Sequence, residues 1–153
     1  FCYRDFWVEN EAGEKIITLH STFVLMDLET RKIKTVPENV IAPFKGEKSN
    51  KIKRGEKLPE VALTNSLPYR VRYFDLDVNQ HVNNSKYFSW MLDPLEKEFL
   101  TTHEVKKVFV RFDKEVNYGE MVESFYTVVN DNQTRHEIRL GDTLCCEAQI
   151  MWQ

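Results

Sequence analysis

The sequence predicts an α+β fold in which a helix lies on one face of an antiparallel sheet. Three observations lead there. Bulky residues recur at Tyr87, Trp90, Met91, Pro94, Leu95 and Phe99, the i, i+3, i+4, i+7 rhythm of an amphipathic helix. Strand-like runs then follow without another helix, over Val105–Phe112, Met121–Val129, Thr134–Leu140 and Leu144–Trp152. Ahead of residue 45 there are only short strand patterns and no long helix.

Taken in order, Asp5–Val8 and Lys15–Leu28 read as strands joined by the turn-rich Glu9–Glu14, a hairpin signal. Ile33–Val36 is a further short strand, and Pro37 is suited to the first position of a short helix over Pro37–Ala42. Two or three strands are too few to stand alone as a domain. The stretch 45–59 carries Gly46, Gly55 and Pro59, many charges and, besides Ile52 and Leu58, almost nothing apolar, so it reads as an exposed linker. Its charge is lopsided: Lys45, Lys48, Lys51, Lys53, Arg54 and Lys57 face only Glu47 and Glu56. The main helix starts at the Asn83-Asn84 pair, since Asn is a favoured N-cap, and runs to about Leu100. Pro94 interrupts it: Asp93-Pro94 reads as the cap and first residue of a second short helix, or as a kink. The four later strands form an antiparallel meander turning at Asn130-Asp131-Asn132 and Gly141-Asp142. In the last strand Leu144, Cys146, Ala148, Ile150 and Trp152 share an apolar face.

A chain of 153 residues supports one full domain and is short for two. Apolar residues at 42% and charged residues at 29% describe a packed globule. No apolar run approaches the roughly 18 residues that span a membrane. The start at Phe1 points to missing upstream sequence. Cys2, Cys145 and Cys146 have neither zinc nor redox spacing and fit a reducing compartment. A net charge of −3 argues against general nucleic-acid binding. His20, His103 and His136 are scattered without ligand spacing, so neither metal nor cofactor is expected.

The chemistry concentrates in Asp75–Tyr87, ahead of the helix. His81 is the natural general base near neutral pH, and a nearby acid would hold its tautomer. Asp77, Asn79 and His81 are spaced by two, so an extended segment would put them on one face, with Asp77 and His81 roughly 13 Å apart. A direct Asp77–His81 bond therefore requires the segment to curl. Asp75 shares the same parity and competes as partner. Backbone N–H groups of Val82–Ser85 at the helix start are candidate donors to an oxyanion. The bland alternative is that these Asp and Asn residues only turn and cap the chain, with His81 part of the core. Trp90, Met91 and Phe99 are more readily core than lining for a ligand pocket.

The string DVNQHVNNSKY (Asp77–Tyr87), followed by an aromatic helix with Trp90, closely resembles the signature of the acyl-acyl carrier protein thioesterases of bacteria and plant plastids. Upstream, Arg4-Asp5-Phe6, Gly13-Glu14, Val24–Asp27 and Thr30-Arg31-Lys32 resemble the second half of that family's first domain. The resemblance implies a pair of hotdog domains, each a helix wrapped by an antiparallel sheet. Residues 1–44 would then be the C-terminal part of the first, 45–59 a basic linker, and 60–153 a complete, catalytic second domain. It carries the catalytic acid, amide and imidazole onto Asp77, Asn79 and His81; the neighbouring Asp75, Asn83 and Asn84 are candidates for a supporting role. The family's later Glu-Cys pair falls on Glu115 and Val116. Valine is no nucleophile, so a papain-like route is closed at that position. Cys145 and Cys146 are poor substitutes, having no charged motif beside them.

The implied reaction is hydrolysis of an acyl thioester to a fatty acid and a carrier-protein thiol, the acyl chain arriving on phosphopantetheine. Either His81 with Asp77 activates water while Glu115 positions it, or Asp77 or Glu115 attacks and forms a mixed anhydride. Lys51, Lys53 and Arg54 would steer an acidic carrier protein, unless the run is only a solubilised linker. The implied location is the bacterial cytoplasm or, in a plant, the plastid stroma, and a homodimer is compatible with the sequence. Rival readings are a thioesterase acting on coenzyme A esters, a hotdog dehydratase, which would need an acid on the helix facing His81, and a non-catalytic acyl-binding domain.

Overall fold

The computed structural model describes residues 1–46, 48 and 58–153. The docking candidates Lys51, Lys53 and Arg54 lie outside the described residues. The chain divides into two compact units, Phe1–Gly55 and Glu56–Gln153.

In the first unit, strands β1 (Cys2–Glu9) and β2 (Lys15–Phe23) form an antiparallel hairpin, with Cys2 opposite Phe23. Asn10 makes the turn: its Oδ1 accepts from the N–H groups of Ala12 (3.0 Å) and Glu14 (2.9 Å), while Gly13 takes the left-handed conformation at φ 77°. The long second strand expected from the sequence ends at Phe23, and a separate pair follows, β3 (Leu25–Met26) with β4 (Ile33–Lys34). Asp27 closes that pair, accepting from Thr30 N and Oγ1 and pairing with Lys34, which holds its carboxyl down at about 2. Helix α1 covers Glu38–Ile41, with Pro37 at the N-cap in place of the first helical turn. None of the described residues in this unit is buried.

The second unit has the α+β hotdog-like fold. Five antiparallel strands, β5 (Asn65–Arg70), β6 (Val105–Phe112), β7 (Met121–Asn130), β8 (Gln133–Leu140) and β9 (Thr143–Trp152), stand in the order β5-β7-β8-β9-β6. Only β7-β8-β9 is a meander. β6 crosses to the far edge and pairs with β9, so a four-strand meander read from chain order is corrected. β5 was not legible in the sequence because its polar residues and Pro68 break the strand pattern. At a sheet edge that proline is tolerated.

Helix α2 (Asn84–Leu92) lies on the sheet, burying Tyr87, Trp90 and Met91 against Val71, Val82, Val116, Val122, Ile138, Cys145, Cys146 and Ala148. Asp93 is its C-cap, not the cap of the next helix, and the Tyr69 hydroxyl donates to its Oδ2 at 2.9 Å. Pro94, without an N–H, ends the helix, and α3 starts only at Lys97, running to Thr102. Leu95, Ile150 and Trp152 make a second buried cluster on which Phe99 packs. A bulge between β8 and β9 brings Cys145 as well as Cys146 inward, overriding the strict alternation expected for this strand.

One buried histidine makes this core sensitive to acid. Thr134 Oγ1 accepts from Trp152 Nε1 at 2.9 Å and lies 2.8 Å from His136 Nε2. A hydroxyl oxygen can accept twice and donate once, so either tautomer of His136 is held at Nε2, while the enclosed Nδ1 has no hydrogen-bond partner. Burial first, then the positive Arg135, hold His136 down at about 4, against a weaker upward pull from the Met91 carbonyl. A base with a lowered folded-state pKa binds protons more readily when unfolded. Stability should thus fall as pH drops from the ordinary histidine value near 6.5 toward 4, by about 3 kcal/mol at the lower end. Urea midpoints across that range should show this slope, and His136→Gln should remove it. An equal slope in both proteins would refute the assignment.

Candidate active site

The site is built from two segments meeting at the start of α2. The first begins with a 3-10 turn, Tyr73–Asp75, closed by Asp75. This carboxylate, 1% exposed, accepts from Arg72 N at 2.8 Å and from the Arg72 guanidinium at 3.3 Å, and lies 4.0 Å from Lys86 Nζ on α2. Its backbone carbonyl also accepts from Asn83 N at 2.8 Å. Asp75 therefore ties the turn to the helix. Because Arg72 and Lys86 occupy its oxygens, it does not partner His81 as the spacing had allowed.

Between Asp75 and α2 the chain curls into a tight loop. Leu76 bridges Val82, Asp77 N donates to the His81 carbonyl at 2.8 Å, and Gln80 N donates to the Asp77 carbonyl at 3.1 Å. Gln80 adopts φ 65°, in the left-handed region, to complete the turn. Asp77 Oδ1 accepts from the backbone N–H groups of Asn79 (2.8 Å) and His81 (3.4 Å), and Oδ2 lies 3.4 Å from Asn79 Nδ2. This is an Asx turn. The curl that a direct Asp77–His81 bond required is present, but the Asp77 carboxylate meets the His81 backbone and not its imidazole.

The imidazole instead faces a carboxylate from the second segment. Val82 N donates to the Val116 carbonyl at 3.0 Å and His81 bridges Asn117, so residues 115–117 run beside the end of the loop. This contact brings Glu115 Oε2 to 3.6 Å from His81 Nε2, both side chains being partly open to solvent. The 115–120 segment is fixed in turn by Glu120, whose Oε2 accepts from Asn117 N at 2.7 Å, and by backbone bonds between Val71 and Gly119 and Glu120. Glu120 and Asn117 were missed from the sequence, where Asn117-Tyr118-Gly119-Glu120 carries a recognisable turn signal.

Asn83 is the N-cap of α2, its Oδ1 accepting from Ser85 N at 2.9 Å and Ser85 Oγ at 2.8 Å. The amide donors proposed for an oxyanion are therefore largely occupied: Val82 N goes to Val116, Asn83 N to Asp75 and Ser85 N to Asn83. Among the described residues, the Asn84 N–H alone of these four has no acceptor. The exposed Asn79 side chain stands on the same loop as His81. Val116 is fully buried against the core, so position 116 packs and does not face the site. Cys145 and Cys146 are also fully buried, with thiols pushed above their ordinary range by burial. Among the described residues no cluster of metal-ligating side chains is arranged to hold an ion.

The family model described as the acyl-ACP thioesterase C-terminal domain matches residues 59–153, and the one for the N-terminal domain of the same family matches residues 1–44. Among similar proteins, the chloroplastic palmitoyl-acyl carrier protein thioesterase of Gossypium hirsutum is 32% identical, over 93% of this chain and 36% of that protein. The oleoyl-acyl carrier protein thioesterase of Coriandrum sativum is 30% identical, over 86% of this chain and 39% of that protein. The chain thus spans little more than a third of the length of these curated relatives. Of solved structures, a Lactobacillus plantarum protein assigned as an oleoyl thioesterase superposes with a TM-score of 0.90 at 34% identity, covering 99% of this chain and 62% of that one. The 12:0-ACP thioesterase of Umbellularia californica gives 0.79 at 25% identity, with the same two coverages.

Proposed function

This chain belongs to the acyl-ACP thioesterase family, and on that premise we propose that it hydrolyses an acyl thioester to a free fatty acid and a thiol, with an acyl carrier protein as the thiol-bearing partner. The observation that carries the reading is the His81–Glu115 pair, held at 3.6 Å beside the exposed start of α2. That separation suits a shared water. Neutral Nε2 and the Glu115 carboxylate both accept, so one water can donate a hydrogen to each. As the water oxygen attacks the thioester carbonyl, its proton passes to Nε2, and Glu115 stabilises the imidazolium. The Asn84 N–H and the Asn79 amide are the candidate donors to the oxyanion. Collapse breaks the carbon–sulfur bond, and the departing thiolate takes the proton back from His81.

In this scheme Glu115 replaces Asp77 as the acid beside the imidazole, while Asp77 shapes the loop. Similarity to the carrier-protein thioesterases of Gossypium hirsutum and Coriandrum sativum supports a carrier-protein thioester as substrate. The test is a single turnover of a long-chain acyl-carrier thioester in oxygen-18 water. The acid released should carry the label and Glu115 should not. Label in the Glu115 carboxylate would replace the water route by a mixed anhydride, and no release above the spontaneous rate would sink the hydrolase reading. Competition by the matching coenzyme A ester, at equal concentration, distinguishes the two thiol partners.

A further inference from the structure

His81 pairs directly across with Asn117 in an antiparallel bridge. Beside that pair Val82 N donates to the Val116 carbonyl at 3.0 Å, whereas the His81 carbonyl is taken by Asp77 N and Asn117 N goes to Glu120. His81 and Asn117 therefore exchange no backbone bonds with each other. They form the narrow kind of antiparallel pair, in which the two Cα atoms stand roughly 4.5 Å apart and the side chains leave one face side by side. The neighbours fix which face. Val82, after His81, and Val116, before Asn117, are both buried in the core. His81 and Asn117 thus point away from it, and Glu115, two residues before Asn117, shares their side, as its 3.6 Å approach to His81 Nε2 requires. The imidazole has Glu115 diagonally across from it and Asn117 directly opposite.

Asn117 opens the turn 117–120, a place where asparagine commonly serves the backbone. Asn10 and Asn130 do so in this chain, their Oδ1 atoms accepting from Ala12 N and Asn132 N, each at 3.0 Å. Asn117 does not. Glu120 closes that turn instead, its Oε2 accepting from Asn117 N at 2.7 Å, while Glu120 N reaches the Asn117 carbonyl at 3.3 Å. The Asn117 side chain is exposed, and its carboxamide bonds to no described residue. An amide left over from its own turn, uncharged and beside the imidazole, offers two N–H donors to whatever His81 acts on. The side-chain amide of Asn79, on the loop, leans on Asp77 Oδ2 at 3.4 Å.

We propose that Asn117 is a further catalytic residue: its Nδ2 donates to the thioester carbonyl oxygen, more strongly as that oxygen gains charge, while the water between His81 and Glu115 attacks the carbonyl carbon. No proton leaves the amide. It stabilises the oxyanion until the carbon–sulfur bond breaks, and a donor worth more in the transition state than in the ground state acts on kcat. The proposal rests on the hydrolase reading above. Its test compares wild type, Asn117→Ala and Asn117→Asp on a long-chain acyl-carrier thioester, with circular dichroism to confirm each fold. Alanine keeps the backbone N–H that Glu120 binds and removes both donors, so kcat should fall about 10²-fold with KM changed by less than about twofold. Aspartate opens a turn as readily as asparagine and has its shape, but it cannot donate and sets a negative charge beside the oxyanion. Its kcat should be at least as low as that of the alanine variant. A residue that serves only the turn gives the opposite order, aspartate active and alanine impaired, and that result overturns the inference. So does an alanine variant whose kcat stays within about threefold of wild type. Should the alanine variant not fold, the aspartate variant decides, and a kcat near that of wild type overturns the inference. Each of these failures leaves an active wild type and the hydrolase reading standing, whereas a wild type that releases no acid sinks that reading and this inference with it.

Discussion

On the proposed thioesterase reading, replacing His81 with alanine should lower acyl-thioester hydrolysis by about 10²- to 10⁴-fold, the range associated with a lost general base. The loss should appear in kcat more than in KM, because in that scheme the imidazole handles the proton of the attacking water and does not hold the acyl chain. The fold should survive, since the His81 side chain is partly exposed and contributes nothing to either buried cluster. Asp77→Asn provides the contrast. An asparagine Oδ1 still accepts from Asn79 N, so the loop keeps its turn, and the fall in kcat should stay below about tenfold. Parallel rate measurements on the two variants, with circular dichroism to confirm folding, are decisive. If Asp77→Asn is as damaging as His81→Ala, Asp77 takes part in the chemistry and its role as a loop former is insufficient.

The second large effect is on stability. Arg135 and Glu147, with side chains only 4% and 8% exposed, form a buried ion pair across β8 and β9. Arg135 also donates to the carbonyls of His136 (2.6 Å) and Ala148 (3.1 Å), and Glu147 accepts a further bond from Arg111 at 2.7 Å. Glu147→Ala leaves the buried guanidinium without its main counter-charge, for which the expected cost is about 3–5 kcal/mol. Arg111→Ala removes an exposed partner from the same carboxylate and should cost under about 1 kcal/mol. Urea unfolding of the two variants separates the cases. Equal losses would mean that the pair is solvated in the folded protein.

Much of the second unit was readable because its patterns are local. The periodicity of Tyr87, Trp90 and Met91 marked the packed face of α2, and Asn83 announced its cap. The limits of β6 were read correctly for the same reason. What depends on distant residues was not readable. That β6 pairs with β9 is fixed by packing across the whole sheet, and nothing near residue 105 encodes it. β5 borrows its stability from β7, so its own sequence needed no strand pattern. The site divides in the same way. Asp77, Asn79 and His81 could be grouped by spacing, but spacing favoured Asp77 or Asp75 as the partner of the imidazole. Resemblance supplied Glu115, and only the contact of Val82 with Val116 explains why a residue 34 positions away reaches His81 while one four positions away does not.

The bulge that turns both Cys145 and Cys146 inward has a practical consequence for handling the protein. Alkylating and oxidising reagents act on an accessible thiolate, and these two thiols are sealed from solvent and resist ionisation. Cys2, partly exposed on β1, is the remaining thiol. A maleimide probe therefore attaches to the first unit alone, and the hotdog unit can be labelled at a chosen position simply by adding one surface cysteine to a chain from which Cys2 has been removed.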